Sequence, residues 1–220
     1  MIKAVVFDAY GTLLDVHSAM ERHASSIGPH WQAISQTWRT KQLEYSWVRT
    51  LAGRHRDFAR LTREALDFAA AQHGLTDPAL LDELEQAYRA LAAYPDVVPV
   101  LQRLRERGLP CAILSNGERQ MLNDGVHAAK LGDLLDDVLS IDPAAVFKPD
   151  QRAYRLAAER FAVPPEEIAF LSSNAWDAFG AYHFNFRVFW VNRTHQPDEY
   201  GLTGKVEVVD GLHALPDLLA

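Results

Sequence analysis

The chain has 220 residues, of which 48% are apolar, enough to bury one core domain with a smaller companion and too many for a disordered chain. Its formal net charge of −7 argues against nucleic acid as a partner, since phosphate contacts need clustered lysine and arginine. It holds no apolar run of the ~18 residues that span a bilayer, and Met1 to Phe7 is too short for the apolar part of a signal peptide, so a cytoplasmic protein with no membrane partner is expected.

Ile2-Lys3-Ala4-Val5-Val6-Phe7 is a short apolar run that stops at Asp8, the pattern of a buried parallel strand. Residues 15–93 then carry helical periodicity and no strand signal. Trp31, Trp38, Tyr45 and Trp47 crowd the first helix of this segment, and Thr62 is expected to cap a later one, with Leu61 and Leu66 as its hydrophobic staple. Asp77 and Pro78 open a further helix, whose stripe is Leu81, Leu84, Tyr88 and Leu91. Val97 to Arg107 reads as a helix closed by Gly108.

The run Cys111-Ala112-Ile113-Leu114 is a second strand, stopping at Ser115-Asn116-Gly117. Cys111 is the only cysteine, which excludes an internal disulfide and suits a core position in a reducing compartment. Val138 to Ile141 is a further strand candidate, and Lys148-Pro149 follows a loop. The helix from Gln151 to Phe161 precedes Pro164-Pro165; Ile168 to Leu171 stops at Ser172-Ser173-Asn174, and Val188 to Val191 is the last strand candidate. The alternation predicts an α/β fold: a doubly wound parallel-sheet (Rossmann-like) core of residues 1–14 and 94–220, with an all-helical cap domain, residues 15–93, inserted after the first strand.

In open parallel sheets a ligand sits beyond the carboxyl ends of the strands, and three polar clusters stand at such ends. Asp8, with a Gly-containing turn after it, suits covalent attack on an electrophile, although an isolated Asp at a turn has an ordinary structural use too. Ser115 and Asn116 can donate to an anionic substrate, or simply make a turn. A lysine such as Lys148 near Asp8 would keep that carboxylate ionised, while alone it reads as a solvated charge. Ser172, Ser173, Asn174 and Asp177 add a second carboxylate at a strand–helix junction, where such residues also cap helices. Their convergence is what points to a site.

In motif order, Asp8-Ala9-Tyr10-Gly11-Thr12-Leu13, Leu114-Ser115-Asn116-Gly117, Lys148-Pro149 and Ser172-Ser173-Asn174-Ala175-Trp176-Asp177 resemble the haloacid dehalogenase superfamily over nearly the whole chain. Phosphatases of that superfamily carry a second Asp two residues after the nucleophile, to protonate a basic leaving group, and further acidic residues in the last motif to bind magnesium. Here those places hold Tyr10 and Ser172-Ser173-Asn174, which disfavours metal-dependent phosphoryl transfer. Halide leaves without a proton, and these features, with the segment from Trp38 to Trp47, resemble the L-2-haloacid dehalogenase branch.

That resemblance implies hydrolysis of short (S)-2-haloalkanoic acids to (R)-2-hydroxy acids, with no metal and no other cofactor. Asp8 would attack C2 and expel halide with inversion, leaving an ester on its side chain. Ser115 and the backbone near Ala9 and Tyr10 would hold the substrate carboxylate, and Arg39 would receive the halide, with Asn116 and Phe58 beside it. Asp177 would be the base for water attack on the ester; Lys148, Ser172 and Asn174 would fix the two carboxylates, and Thr12 and Tyr154 would complete the shell. Trp176 and Tyr10 would wall the pocket. The family also implies a homodimer. Leu14, where relatives often have Phe, and Thr40, inside the usual Arg-Gln-Lys-Gln run, depart from the pattern and bear on substrate size. The alternatives are a superfamily phosphatase acting on small phosphomonoesters, and a non-catalytic binding protein on the same scaffold.

Overall fold

The computed structural model describes residues 1–219. The first strand, β1 (Ala4–Phe7), is followed by a two-residue strand, β2 (Leu14–Asp15), and by the helices α1 (Ser18–Arg22), α2 (Ala24–Ile27), α3 (Trp31–Leu51), α4 (Phe58–His73) and α5 (Pro78–Tyr88). A second short strand, β3 (Ala92–Ala93), precedes α6 (Val97–Glu106), β4 (Cys111–Ser115), α7 (Arg119–Ala128) and β5 (Asp137–Ser140). Then come α8 (Gln151–Phe161), β6 (Ile168–Ser172), α9 (Ala175–His183), β7 (Arg187–Val191), β8 (Glu207–Val209) and α10 (Leu215–Leu218).

Six strands form one parallel sheet in the order β5-β4-β1-β6-β7-β8. β1, β4 and β6 are buried along their whole length, which is why their sequences are unbroken apolar runs rather than alternating ones. β1 lies between β4 and β6, with Phe7 opposite Ile113 on one side and Leu171 on the other. The chain turns from one half of the sheet to the other here, so the residues just past these three strands face a common crevice. The α/β fold expected from the alternation is therefore present, with β8 as a strand not anticipated. Its sequence, Glu207-Val208-Val209, is short and half-exposed at the sheet edge and gives no apolar run.

The helices between β2 and β3 pack on one another through α3, α4 and α5. On α4, Leu61, Ala65, Leu66 and Ala69 are buried at helical spacing, and each leucine contributes about 1.5–3 kcal/mol by leaving water. Asp57 caps this helix, accepting from the Arg60 N–H at 2.8 Å. The expectation that Thr62 is a cap is thus corrected. Thr62 lies in the second turn of α4, its Oγ1 donating back to the Phe58 carbonyl at 2.7 Å, because Asp57 already satisfies the free N–H groups. Leu61 and Leu66 pack as ordinary members of the buried face.

On α5, Asp77 caps and Pro78 opens the helix as expected. Its buried stripe is Leu80, Leu84 and Tyr88; Leu81 is half-buried, and Leu91 is buried just beyond the helix end. Gly108, at φ +70°, ends α6 where expected. β2 and β3 pair antiparallel, Leu14 with Ala93 and Asp15 with Ala92, where the chain leaves the sheet layer and where it returns. Tyr94 N–H then donates to the Leu13 carbonyl at 3.0 Å, extending the ribbon toward the sheet. Two-residue strands carry no periodicity, so nothing in the sequence announces them. Among the described residues, no helix is long and apolar enough to cross a membrane.

Candidate active site

Asp8 is the first residue after β1 and is 5% exposed. Its Oδ2 accepts from Asn174 Nδ2 at 2.8 Å, Thr12 Oγ1 at 3.0 Å and Ser172 Oγ at 3.5 Å, and its Oδ1 accepts from Lys148 Nζ at 3.2 Å. Oδ2 is thus tied down by neutral donors, while Oδ1 keeps a lone pair beyond the ammonium contact.

The turn that follows Asp8 is built for this. Gly11 sits at φ +92°, a conformation that an L side chain rarely adopts, and the site where its Cβ would stand is 3.7 Å from Asn174 Nδ2. Thr12, drawn in by the turn, accepts from the Ser173 N–H at 2.8 Å and so has its proton directed to Asp8. β6 supplies the facing side: Ser172 Oγ accepts from the Asn174 N–H at 3.1 Å, fixing the asparagine.

Lys148 is fully buried, and its Nζ lies 3.2 Å from Asp8 and 3.0 Å from Asp177. The third side of the ammonium faces the Phe170 ring, 5.0 Å from its centroid. Asn116 holds the loop that delivers this lysine, its Oδ1 accepting from the Lys148 N–H at 2.9 Å. Asp177, in the first turn of α9, is fully buried, and Tyr154 OH donates to its Oδ1 at 2.7 Å. Burial pushes the Asp177 carboxyl up from its ordinary range; Lys148 opposes this, and the Asp8 charge adds to it. Burial likewise raises the Tyr154 phenol well above its ordinary value, so the tyrosine is a neutral donor to the carboxylate.

Arg39 reaches the same crevice from α3. Its Nη2 donates to the Tyr10 carbonyl at 3.2 Å and to Asn174 Oδ1 at 3.3 Å, and its Nη1 donates to Gln42 Oε1 at 2.8 Å. Tyr10 points toward the helices and stacks on Phe58 and Tyr88, at 5.6 and 5.5 Å between ring centroids. Gly117 makes room for it: a Cβ there would stand 2.9 Å from Tyr10 Cε2.

Of the residues singled out in the sequence, Asp8, Thr12, Arg39, Lys148, Tyr154, Ser172, Asn174 and Asp177 therefore form one hydrogen-bonded array. Tyr10 and Phe58 wall it. Ser115, buried at the end of β4, accepts from the Gly117 N–H at 3.2 Å within its own turn, while Asn116 braces the neighbouring loop that carries Lys148. Ala9 is buried, and its carbonyl accepts from the Leu13 N–H at 3.0 Å. Trp176 stands aside, edge-on to Trp47 at 5.4 Å. These two tryptophans help to line an apolar hollow of about 450 Å³, and Gly11, Arg39 and Asn174 border a more polar one of about 290 Å³ on another side. Asp8 lines neither.

Gln42 and Gly180 were missed as site residues. Gln42 lies one turn after Arg39, a spacing that places both on one helix face. Gly180 gives no sequence signal, yet a Cβ there would press into the Tyr154 hydroxyl. Among the described residues, no group of three His, Cys, Asp or Glu side chains converges to hold a metal ion.

A profile of haloacid dehalogenase-like hydrolases matches residues 2–184. The (S)-2-haloacid dehalogenase 1 of Pseudomonas sp. (strain CBS-3) is 47% identical over 219 residues, which is 99% of this chain and 96% of that one. The structure of L-2-haloacid dehalogenase from Xanthobacter autotrophicus with chloropropionic acid covalently bound superposes at a TM-score of 0.88, with 39% identity, covering 100% of this chain and 98% of that one. A dehalogenase structure 47% identical reaches 0.97, covering 100% and 97%. With a carboxylate, lysine and second carboxylate converging past the central strands, and with likeness of this extent, the chain belongs to the haloacid dehalogenase-like hydrolases, in their L-2-haloacid dehalogenase branch.

Proposed function

We propose that this protein hydrolyses short (S)-2-haloalkanoic acids to (R)-2-hydroxy acids through an ester on Asp8, with inversion at C2 and without a metal. The observation that carries the reading is the position of Lys148. Its Nζ is within 3.2 Å of both Asp8 and Asp177, so the crevice has its cation from a side chain. Tyr10, rather than a second acid, follows the nucleophile by two residues, which suits a leaving group that needs no proton. The covalently bound chloropropionic acid of the Xanthobacter autotrophicus enzyme supports an ester intermediate.

In the first step Asp8 Oδ1 forms a bond to C2 from the side opposite the halogen. The carbon–halogen bond breaks, and halide leaves with the electron pair toward Arg39. A guanidinium stabilises charge that grows only as this bond breaks, so its effect falls on the transition state. Asn116 and Phe58 flank the halide, while Ser115 and backbone N–H groups near Ala9 and Tyr10 hold the substrate carboxylate.

In the second step water adds to the carboxyl carbon of the ester. Asp177 takes its proton and returns it to the hydroxy-acid oxygen as the ester bond breaks. The raised affinity of Asp177 for a proton fits it to this work. Lys148, Thr12, Ser172, Asn174 and Tyr154 hold the carboxylates, and Tyr10 and Phe58 wall the pocket. Residues 15–93 act as a cap domain over the core of residues 1–14 and 94–220, and the protein works as a homodimer in the cytoplasm.

The test is halide release from each enantiomer of 2-chloropropionate in the presence of a chelator, by wild type and Asp8→Asn. The S form alone should turn over, unaffected by the chelator and not at all in the variant. Equal turnover of both enantiomers, or loss on chelation, would overturn the assignment.

A further inference from the structure

Gln42 is 1% exposed, a buried amide in the middle of a 21-residue helix, so each of its polar atoms needs a partner. Its Oε1 accepts from Arg39 Nη1 at 2.8 Å and from Tyr88 OH at 3.1 Å. Its Nε2 donates to Thr62 Oγ1 at 2.7 Å. Three helices meet at this one side chain, since Arg39 and Gln42 stand on α3, Thr62 on α4 and Tyr88 on α5.

The amide has one permitted orientation. Thr62 has a single proton and gives it to the Phe58 carbonyl at 2.7 Å, so its oxygen can only accept from Gln42. The NH₂ end must therefore face Thr62. The carbonyl end must face Arg39, whose guanidinium can only donate, and it also accepts from the Tyr88 hydroxyl. A flipped amide would set donor against donor at Arg39 and acceptor against acceptor at Thr62. Thr62 itself is held by its helix, and Trp38 Nε1 donates to its backbone carbonyl at 2.8 Å.

The consequence falls on Arg39. One edge of the guanidinium is seated on Gln42, and this leaves Nη2 aimed at Tyr10 O and Asn174 Oδ1. Asn174 in turn donates to Asp8. We propose that Gln42 is a positioning residue. Its amide, oriented by Thr62, fixes the Arg39 guanidinium against Asn174 beside Asp8, and so sets how well a departing halide is received. Naming the anion rests on the dehalogenation proposed above; the placing of Arg39 does not.

The test compares Gln42→Met with the pair Thr62→Val and Thr62→Ser. Methionine keeps the volume and removes the acceptor, and displacement of a reacting group by about 1 Å can slow a step by roughly 10²-fold. Chloride release from 2-chloropropionate by Gln42→Met should fall on the order of 10–100-fold. Bromide, the better leaving group, should lose less, and hydrolysis of the accumulated ester far less. Thr62→Val, which frees the amide to turn, should slow chloride release about five-fold, while Thr62→Ser should stay near wild type.

A packing role reverses that order, because valine keeps the shape of threonine and serine does not. Harmless valine with slowed serine would overturn the proposal, as would equal slowing of chloride and bromide release. A crystal structure of Gln42→Met supplies the arm that needs no turnover. Arg39 should have left Tyr10 O and Asn174 Oδ1, and an unmoved guanidinium would refute the assignment even if wild type releases no halide at all.

Discussion

Replacing Lys148 with methionine removes the positive charge that Asp8 and Asp177 share while keeping most of the buried volume. At 3.2 and 3.0 Å, each attraction is roughly 5 kcal/mol at an effective dielectric of about 20. The stability lost cannot reach their sum, because a carboxylate stranded in the interior takes up a proton instead. Holding one carboxyl protonated at pH 7 costs about 1.4 kcal/mol for each unit above its ordinary ~4, or about 4 kcal/mol. We expect a loss of roughly 3–4 kcal/mol at neutral pH, consistent with other broken buried pairs. Asp177, which burial already pushes up and which then lacks its opposing charge, is the group that protonates. Its folded form would bind a proton that the unfolded chain has released, so stability falls as pH rises from ~4 through the raised folded value. Wild type shares the sign of this slope, and the variant should be steeper. Urea unfolding of both proteins between about pH 5 and pH 8 measures it: the gap should be small in acid and widen toward neutrality. A gap that stays constant with pH, or a variant as stable as wild type at neutral pH, would refute the account of a shared charge.

Ester hydrolysis should lose rate on the acid side at a pH above the ~4 of an ordinary carboxyl, because Asp177 must be ionised to take a proton from water and burial raises its affinity for one. Single-turnover rates across pH test this, and a limb at the ordinary carboxylate position would count against Asp177 as the base. Gly180→Ala should drive Tyr154 off Asp177, since the new methyl would press into the tyrosine hydroxyl and stand 2.6 Å from Pro149 Cβ. A stability loss of about 1–3 kcal/mol should come with slowed ester hydrolysis, and unchanged kinetics would show that Tyr154 is not needed there.

The parallel sheet was legible because β1, β4 and β6 are buried on both faces and write themselves as unbroken apolar runs ending in polar clusters. The convergence of Asp8 with the cluster from Ser172 to Asp177 follows from the rule that strand ends meet, whereas Lys148, which follows a loop, is expected beside them only through the family resemblance; the distances bring all three together. Thr62 was misassigned for a physical reason: a threonine near an apolar pair has the same local pattern whether it caps a helix or bonds back inside one, and Asp57 decided the matter. β8 and the short ribbon escaped notice because an exposed edge and a two-residue strand leave no periodicity. Gln42 was invisible as a site residue. A glutamine in a helix reads as surface, and only three packed helices make it an interior group.

The pairing of β2 with β3 means that the helical layer hangs from the sheet on a doubled cord, with Tyr94 N–H to Leu13 O as a further stitch. A single strand would let that layer swivel about any axis; two laced together leave bending across the lace as the soft motion. A tilt of one layer from the other is the displacement that this connection resists least. Arg39, reaching from α3 to the Tyr10 carbonyl and Asn174 Oδ1, is a further tie across the same seam, and such a tilt would have to stretch it.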